Sequence, residues 1–377
     1  METDSSDVKP FSLLIKPSSA DCNLRCRYCF YLDHSSLYPQ TRRHRMSEET
    51  LQRMIETYMR TKQQYYTFGW QGGEPTLMGL DFFKKVTSLQ SSLGSPGTVV
   101  ANGFQTNGVL LDDHWAKHFA DYKFLVGVSV DGPQKLHDRF RVDLGGRGTH
   151  AKVMKGIAAL RRNNVEYNVL TLVSKSNVKN PEDVYNFLCA NGINFHQYIE
   201  CVEFDSKGQL CPFAITANEW GEFLCRIFDI WYKHDVYNVS VRLFDTILAQ
   251  LVHGVSNTCA SGTSCDQYFV VEYNGDVYPC DFNVTESLLL GNINSSAWEE
   301  LQTSETYVKF AADKTRWNAA CGVCPWLRFC NGDCPKNRIG RNPGSLSHLC
   351  QGWKMFYSHT ISKFEALAEQ IRLRDGL

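Results

Sequence analysis

Short apolar runs alternate with amphipathic stretches through the first half of the chain. The run at 124–130 is apolar on both faces, which is typical of a strand covered on both sides. The predicted strands are 12–16, 66–71, 99–105, 124–130, 167–173 and 194–200. Six strands alternating with helices predict an α/β fold with a parallel sheet, either an open wound sheet or a partial barrel. In both, functional groups gather at the C-terminal ends of the strands.

Helical spacing of apolar residues marks the segments between these strands. Apolar positions within 51–59 recur at helical intervals behind Ser47, a favoured N-cap residue. The same pattern follows at 153–160, and Pro181 suits the first turn of another helix. We therefore expect helices to connect the successive parallel strands.

The pattern changes after about residue 211. A long amphipathic helix near 216–234 is followed by clustered cysteines and by a hairpin, 268–273 and 276–279, around Asn274-Gly275. The expected parts of the chain are a polar N-terminal tail (1–11), an α/β domain (12–210), a helical bridge (211–258) and a cysteine-rich domain with a C-terminal helix (259–377).

Composition and charge narrow the class of protein. The chain has 377 residues, of which 43% are hydrophobic, so it can bury a sizeable core. With 39 Lys and Arg against 40 Asp and Glu, it has no overall field for nucleic acid or an anionic membrane. The polar start lacks the features of a secretion signal, and no apolar run is long enough to span a bilayer. We expect a cytoplasmic monomer that binds neither nucleic acid nor membrane.

Fifteen cysteines change this picture. In a cytosolic chain, clustered cysteines indicate metal or redox chemistry rather than disulfides. Eleven of them fall into two groups, at 22–29 and 259–350. The other four lack ligand spacing and are expected to be buried structural thiols: Cys189, Cys201, Cys211 and Cys225.

The first group, Cys22-x3-Cys26-x2-Cys29, directly follows the first predicted strand. Three thiolates on a tight loop can hold three irons of a [4Fe–4S] cluster and leave the fourth open for a ligand. A zinc site is the alternative, but it normally needs a fourth protein ligand, for which His34 is the nearby candidate. The aromatic Tyr28 before the last cysteine sharpens the pattern and favours the cluster.

This arrangement resembles the radical S-adenosylmethionine superfamily. In that family the open iron binds S-adenosylmethionine, whose one-electron cleavage gives a radical that abstracts hydrogen from the substrate. The segment 71–75, Gln-Gly-Gly-Glu-Pro, resembles the family's GGEP motif, in which glycines let the backbone approach a ligand. The resemblance implies that 12–210 is a partial (β/α)6 TIM-like barrel. The cofactor contacts that it implies are Tyr28 (through its backbone), Gly72, Gly73, Glu74, Ser129, Arg141 and Val202. Taken alone, Arg141 would also suit a solvated loop and Val202 a core position.

The eight later cysteines form the runs C-x5-C-x14-C and C-x2-C-x5-C-x3-C, with a last cysteine after fifteen intervening residues. Their number suits two four-ligand sites, of iron–sulfur clusters or of zinc. The second run resembles the SPASM extension of peptide-modifying radical enzymes, and the resemblance implies two auxiliary [4Fe–4S] clusters. One would be held by Cys259, Cys265, Cys280 and Cys334, and the other by Cys321, Cys324, Cys330 and Cys350.

Between residues 13 and 353 the chain resembles the anaerobic sulfatase-maturating enzymes, which convert a Cys or Ser of a sulfatase to Cα-formylglycine. Segments 12–17, 29–31, 71–76, 124–127 and 267–282 carry this resemblance. It implies that Asp281, directly after Cys280, is the general base for the substrate's thiol or hydroxyl. Tyr31 and Gln71 would hold the substrate backbone, and a donor such as flavodoxin or ferredoxin would supply electrons.

Two other interpretations stay open at this point. The same clusters would serve another SPASM enzyme that makes a thioether, a carbon–carbon crosslink or an epimer in a peptide; the carboxylate of Asp281 favours the maturase over these. A cysteine-rich zinc protein acting as an interaction module is the more remote alternative, and it leaves the Gly-Gly-Glu-Pro segment unexplained.

Overall fold

The computed structural model describes residues 9–376, apart from the side chains of residues 33–35. Most of the predicted N-terminal tail and the side chain of His34 therefore lie outside the described residues. Ten strands form one sheet within the described part. They are β1 Ser12–Lys16, β2 Tyr65–Trp70, β3 Val99–Thr106, β4 Leu125–Ser129, β5 Tyr167–Val173, β6 Phe195–Glu200, β7 Ser240–Val241, β8 Tyr268–Glu272, β9 Asp276–Tyr278 and β10 Gly291–Asn292.

Helices connect and cover these strands. The α-helices are α1 Glu48–Met59, α2 Leu80–Leu93, α3 Asp113–Asp121, α4 Gln134–His137, α5 His150–Arg162, α6 Pro181–Ala190, α7 Ala217–His234, α8 Arg242–His253, α9 Trp298–Thr303, α10 Glu305–Asp313, α11 Ala319–Gly322, α12 Leu327–Cys330 and α13 Cys350–Asp375. The described residues also form six 3-10 turns, at Leu32–Leu37, Pro75–Met78, Asp281–Asn283, Glu286–Leu288, Pro335–Asn337 and Ile339–Arg341. No helix in the described range is long and apolar enough to cross a membrane.

Strands β1 to β7 pair in chain order, and every one of these pairs is parallel. Their inward residues are fully buried, as in β1, where Leu13 and Ile15 lie in the main core. All six predicted strands match the observed strands or differ from them by one residue at one or both ends. The mostly parallel α/β architecture agrees with the predicted partial (β/α)6 barrel.

The predicted hairpin is present and extends the barrel sheet. Strand β8 pairs in parallel with β1, in the register Ser12↔Tyr268 to Lys16↔Glu272, and antiparallel with β9. Residues assigned from the sequence to the cysteine-rich domain therefore share a sheet with the barrel. The division into domains itself stays a prediction.

The predicted helix starts follow local chemistry. The Ser47 hydroxyl accepts a hydrogen bond from the amide of Thr50 at 3.2 Å, which caps α1. Thr216 and Glu219 form a capping box at the start of α7, the predicted bridge. This helix packs along α13 through Gly352, where an added Cβ would lie 2.2 Å from the Ala217 carbonyl oxygen. The bridge is therefore held by the C-terminal helix.

The four cysteines outside the two groups differ in burial. Cys201 is buried, as expected for a structural thiol. Cys189, Cys211 and Cys225 are partly exposed, so the expectation of burial is wrong for these three. Cys189 and Cys225 lie on α6 and α7, and Cys211 lies in a loop; the sequence pattern does not show how fully the neighbouring elements cover each of them.

Candidate active site

The loops that follow the first four strands surround a cavity of about 220 Å³. We call it the central cavity. The predicted site residues in its wall are Cys22, Cys26, Cys29, Tyr28, Tyr31, Gln71, Gly72, Gly73, Ser129, Arg141 and Asp281. Glu74 and Val202 are buried and are not part of this wall. The structure thus brings together residues from widely separated parts of the chain.

Gly72 and Gly73 allow the end of strand β2 to pack closely against the cysteine loop. The Gly73 amide donates to the carbonyl of Ser19 at 2.7 Å, and the Glu74 amide donates to that of Asp21 at 2.9 Å. A Cβ on Gly73 would lie 2.1 Å from the Asp21 carbonyl oxygen, and Gly72 has φ +132°, which side chains rarely adopt. Glycine is therefore required here by close backbone packing immediately before Cys22.

The Glu74 carboxylate points into the protein rather than into the cavity. It accepts hydrogen bonds from the amide of Asn107 at 2.7 Å and from the hydroxyls of Thr76 and Thr106 at 2.7 and 2.8 Å. Burial raises its pKa, and these donors oppose that shift. Asn107 in turn donates to the side chain of Asn23 at 2.7 Å, inside the cysteine loop. Glu74 thus orders the ends of β2 and β3 around the site, and its predicted contact with the cofactor stays a prediction.

A buried network supports the cysteine loop from the other side. The Tyr28 hydroxyl donates to Asp131 and accepts from Nη1 of Arg141 at 2.9 Å. Burial raises the pKa of Asp131, and the charge of Arg141 opposes this. The Nε of Arg141 is buried without an acceptor in the described structure, while the residue lines the central cavity. A donor in that position suits an anionic group such as a carboxylate, so the residues fit S-adenosylmethionine.

Asp281 is held by two side chains that the sequence did not pair with it. The Lys16 ammonium forms an ion pair with Oδ1, and the Gln71 amide donates to Oδ2 at 2.9 Å. Lys16 also lies 4.0 Å above the ring of Tyr31. Lys16 is 2% exposed and Asp281 13%, so the pair is shielded from water. The arrangement fixes the direction of a carboxylate in the cavity wall.

Tyr31 belongs to the same group through Glu272. Its hydroxyl donates to Glu272, whose neighbour across the parallel register is Lys16. Burial raises the pKa of Tyr31 well above its usual value, and Glu272 adds to the shift. The phenol therefore stays protonated, and the role of Asp281 as the general base stays a prediction. Sequence reasoning missed Lys16 and Glu272, although each ends a strand and carries a charge in an otherwise apolar run.

The eight later cysteines line two further cavities. Cys259, Cys265, Cys280 and Cys334, here called set I, line one of them. Cys321, Cys324, Cys330 and Cys350, called set II, line the other. These groupings are those implied by the family resemblance, and the ligand assignments stay predictions. Among the described residues, no three His, Cys, Asp or Glu side chains are grouped around a single metal ion; each set instead surrounds a cavity.

Set I adjoins the central cavity. Cys280 belongs to set I, and the next residue, Asp281, lines the central cavity. The rings of Phe30 and Phe282 lie 4.9 Å apart beside this junction, and the Lys336 ammonium lies 4.4 Å from the Phe282 ring. Burial raises the pKa of the Cys265 thiol to about 12, and the charge of Lys314 opposes that rise. Two consecutive residues, Cys280 and Asp281, thus line the two neighbouring cavities.

Comparison with known proteins shows the class of enzyme to which this site belongs. The Radical SAM superfamily model matches residues 17–188, and the SPASM model, an iron–sulfur cluster-binding domain, matches residues 259–325. The fold and the three cysteine groups therefore define a radical S-adenosylmethionine enzyme with a cluster-binding extension.

Relatives narrow the class to one family. The chain is 35% identical to a serine-type anaerobic sulfatase-maturating enzyme of Bacteroides thetaiotaomicron, over 97% of this chain and 92% of the relative. It is 34% identical to a cysteine-type enzyme of Clostridium perfringens, over 97% and 100%. A solved structure of native anSMEcpe with bound AdoMet and the Cp18Cys peptide matches with a TM-score of 0.89 and 33% identity, over 96% and 100%. The chain belongs to the anaerobic sulfatase-maturating enzymes, which confirms the predicted family and fold class.

Proposed function

We propose that the protein oxidises a Cys or Ser side chain of a sulfatase polypeptide to Cα-formylglycine. The observation that carries this proposal is the position of Asp281, which faces the same cavity as Cys22, Cys26 and Cys29 and directly follows Cys280 of set I. A hydrogen abstraction site, a proton acceptor and an electron acceptor are all needed for a two-electron oxidation. The first cysteine group and Asp281 line the central cavity, and Cys280 of set I lines the neighbouring cavity, which supports the proposal.

Each of these three parts of the reaction has candidate residues in the chain. Three [4Fe–4S] clusters would be held by the first cysteine group, by set I and by set II. S-adenosylmethionine, when bound, supplies one-electron hydrogen abstraction at the substrate's Cβ. Gly72, Gly73, Ser129 and Arg141 line the cavity where it would bind.

Asp281 then takes the proton of the substrate's thiol or hydroxyl. The ion pair with Lys16 and the hydrogen bond from Gln71 keep the carboxylate in place before the transfer. Tyr31 and Gln71 lie beside it in the wall and are proposed to contact the substrate backbone. Lys16 and Gln71 thereby link substrate binding to the direction in which Asp281 points.

The relatives do not favour one target residue, because serine-type and cysteine-type enzymes are 35% and 34% identical to this chain. We propose that the protein works as a cytoplasmic monomer and takes electrons from a small carrier such as flavodoxin or ferredoxin. The zinc interaction module is set aside because the chain belongs to an enzyme family.

The test is anaerobic turnover of matched sulfatase-motif peptides, Cys-x-Pro-x-Arg and Ser-x-Pro-x-Arg, with reductant and S-adenosylmethionine. Mass spectrometry should detect the change to the aldehyde in at least one peptide. The Asp281→Asn variant should still form 5′-deoxyadenosine but lose about 10²–10⁴-fold in formylglycine, the usual contribution of a general base. Formation of 5′-deoxyadenosine with no change in either peptide would move the proposal to a different peptide modification. An undiminished formylglycine rate in Asp281→Asn would remove Asp281 from the base role.

A further inference from the structure

Lys314 is a fully buried cation that lies against set I. It directly follows α10, and its side chain has no exposed surface. Its ammonium donates to the carbonyl of Ala260 at 2.8 Å and to that of Asp333 at 2.6 Å. These two carbonyls belong to the residues next to Cys259 and Cys334. The ammonium therefore joins the two backbone segments that carry half of set I.

No counter-charge accompanies this ammonium within the described structure. None of the ion pairs found there, at up to 4.0 Å, includes Lys314. The other buried lysines nearby are paired, Lys336 with Glu203 at 2.7 Å and Lys16 with Asp281. Burying a cation beside carbonyls alone is strongly unfavourable. A nearby anionic group is needed to offset this cost.

Set I supplies that group when it holds a cluster. A [4Fe–4S] core bound by four thiolates carries a net negative charge, and reduction adds one more negative charge. An adjacent cation in a medium of low dielectric stabilises the reduced state more than the oxidised state. Two buried acids lie in the same region: Asp333, whose carboxylate accepts from the amide of Cys334 at 2.7 Å, and Glu200, which accepts from Asn337 at 2.8 Å. Burial raises the pKa of Glu200, which favours its neutral form.

A buried carboxylate lies beside set II. The Asp333 carboxylate lines its cavity and is 3% exposed. It accepts hydrogen bonds only from uncharged donors, the Cys334 amide at 2.7 Å, the Ser347 hydroxyl at 2.5 Å and the Asn337 amide at 3.3 Å. A cation, Lys354, also lines this cavity, but it is exposed and water screens its charge. Because the Asp333 carboxylate also accepts from the amide of Cys334, it disfavours the addition of an electron to both sets, whereas the Lys314 ammonium is bonded to the backbone beside two cysteines of set I.

We propose that Lys314 raises the reduction potential of the cluster bound by set I and thereby favours transfer of the substrate's second electron to that cluster. The inference rests on the proposed function for its role in turnover. In that step one electron leaves the substrate radical, its proton passes to Asp281, and the cluster core at set I is reduced by one electron. At the same time the carbon–sulfur or carbon–oxygen single bond of the substrate becomes a double bond.

The first test is an anaerobic redox titration of the holoenzyme, followed by electron paramagnetic resonance and carried out without peptide. Lys314→Gln removes the charge but keeps amide donors for both carbonyls. We expect it to lower the midpoint potential of one cluster by at least a tenfold change in the equilibrium constant, about 59 mV for a one-electron couple. The control is Lys309→Gln, which removes a charge from the exposed side of α10 and should shift none of the potentials.

Unchanged potentials in Lys314→Gln, with full iron content, would overturn the proposal, and so would an equal shift in Lys309→Gln. If Lys314→Gln does not retain its clusters, Asp333→Asn decides. That variant removes a buried negative charge beside Cys334 and should raise a cluster potential; unchanged potentials would overturn the claim that buried charges beside set I control the potential of its cluster.

The second test is turnover with the peptide that the wild-type enzyme oxidises. Lys314→Gln should release more 5′-deoxyadenosine per formylglycine, because the electron leaves the substrate less readily. A lowered potential with an unchanged ratio would overturn the assignment of set I as the acceptor. Failure of the wild-type enzyme to oxidise any sulfatase peptide would instead count against the proposed function. The redox titration would still test whether Lys314 raises the cluster potential.

Discussion

The ion pair between Lys16 and Asp281 offers the sharpest test of how the site works. Replacing Lys16 by Met removes the charge and keeps most of the side-chain volume, so the strand β1 and the cavity wall keep their packing. Gln71 still donates to Oδ2 of Asp281, but Oδ1 loses its partner. The carboxylate remains in the wall with one of its two fixed contacts.

The size of the effect follows from that lost contact. A hydrogen bond to a charged group contributes about 1.5–3 kcal/mol. Since about 1.4 kcal/mol is a tenfold change in rate, Lys16→Met should reduce formylglycine formation by about 10- to 150-fold if the contact acts fully in the transition state. Formation of 5′-deoxyadenosine should change much less, because the Lys16 ammonium pairs with Asp281 and lies over the ring of Tyr31.

The assay is a double-mutant cycle with Lys16→Met, Asp281→Asn and the combination. Because Lys16 is proposed to act through Asp281, adding Lys16→Met to Asp281→Asn should cost little further rate. Lys85→Met is the control, since it breaks an exposed pair with Glu48 at 3.6 Å on the outer helices. The reasoning is refuted if Lys16→Met reduces the rate by the same factor in both backgrounds, or does not reduce it at all.

Two further outcomes follow from close backbone contacts. Gly73→Ala should displace the Asp21 backbone, which a Cβ would meet at 2.1 Å, and cause loss of the first cluster; iron analysis should fall from about twelve to about eight per chain, given three clusters of four irons. Gly103→Ala on β3, with open space around it, should keep all of its iron, and full iron in Gly73→Ala would contradict the role of this contact. Gly352→Ala should force α13 away from Ala217 and lower the free energy of unfolding by about 1–3 kcal/mol, measured by denaturant titration. An unchanged denaturation midpoint would show that α7 and α13 can move apart without loss of stability.

Local spacing let the sequence predict much of this protein. The three cysteine groups, the Gly-Gly-Glu-Pro segment and the strand pattern are each complete within a short stretch of chain. The Asn274-Gly275 turn and the caps at Ser47 and Thr216 are likewise local chemistry, and the structure contains all three. Family resemblance, carried by the same short segments, supplied the barrel and the role of Asp281.

Only the tertiary structure decided which distant residues meet. Lys16 lies 265 residues from Asp281 in the chain, and their pairing depends on β8 adding to the sheet beside β1. The inward turn of the Glu74 carboxylate and the contact of Lys314 with two cysteine segments arise in the same way. The sequence alone determined the chemical groups and their order along the chain. The packing of strands and loops determined which charges are buried together, because burial and pairing depend on neighbours that no short stretch of sequence contains.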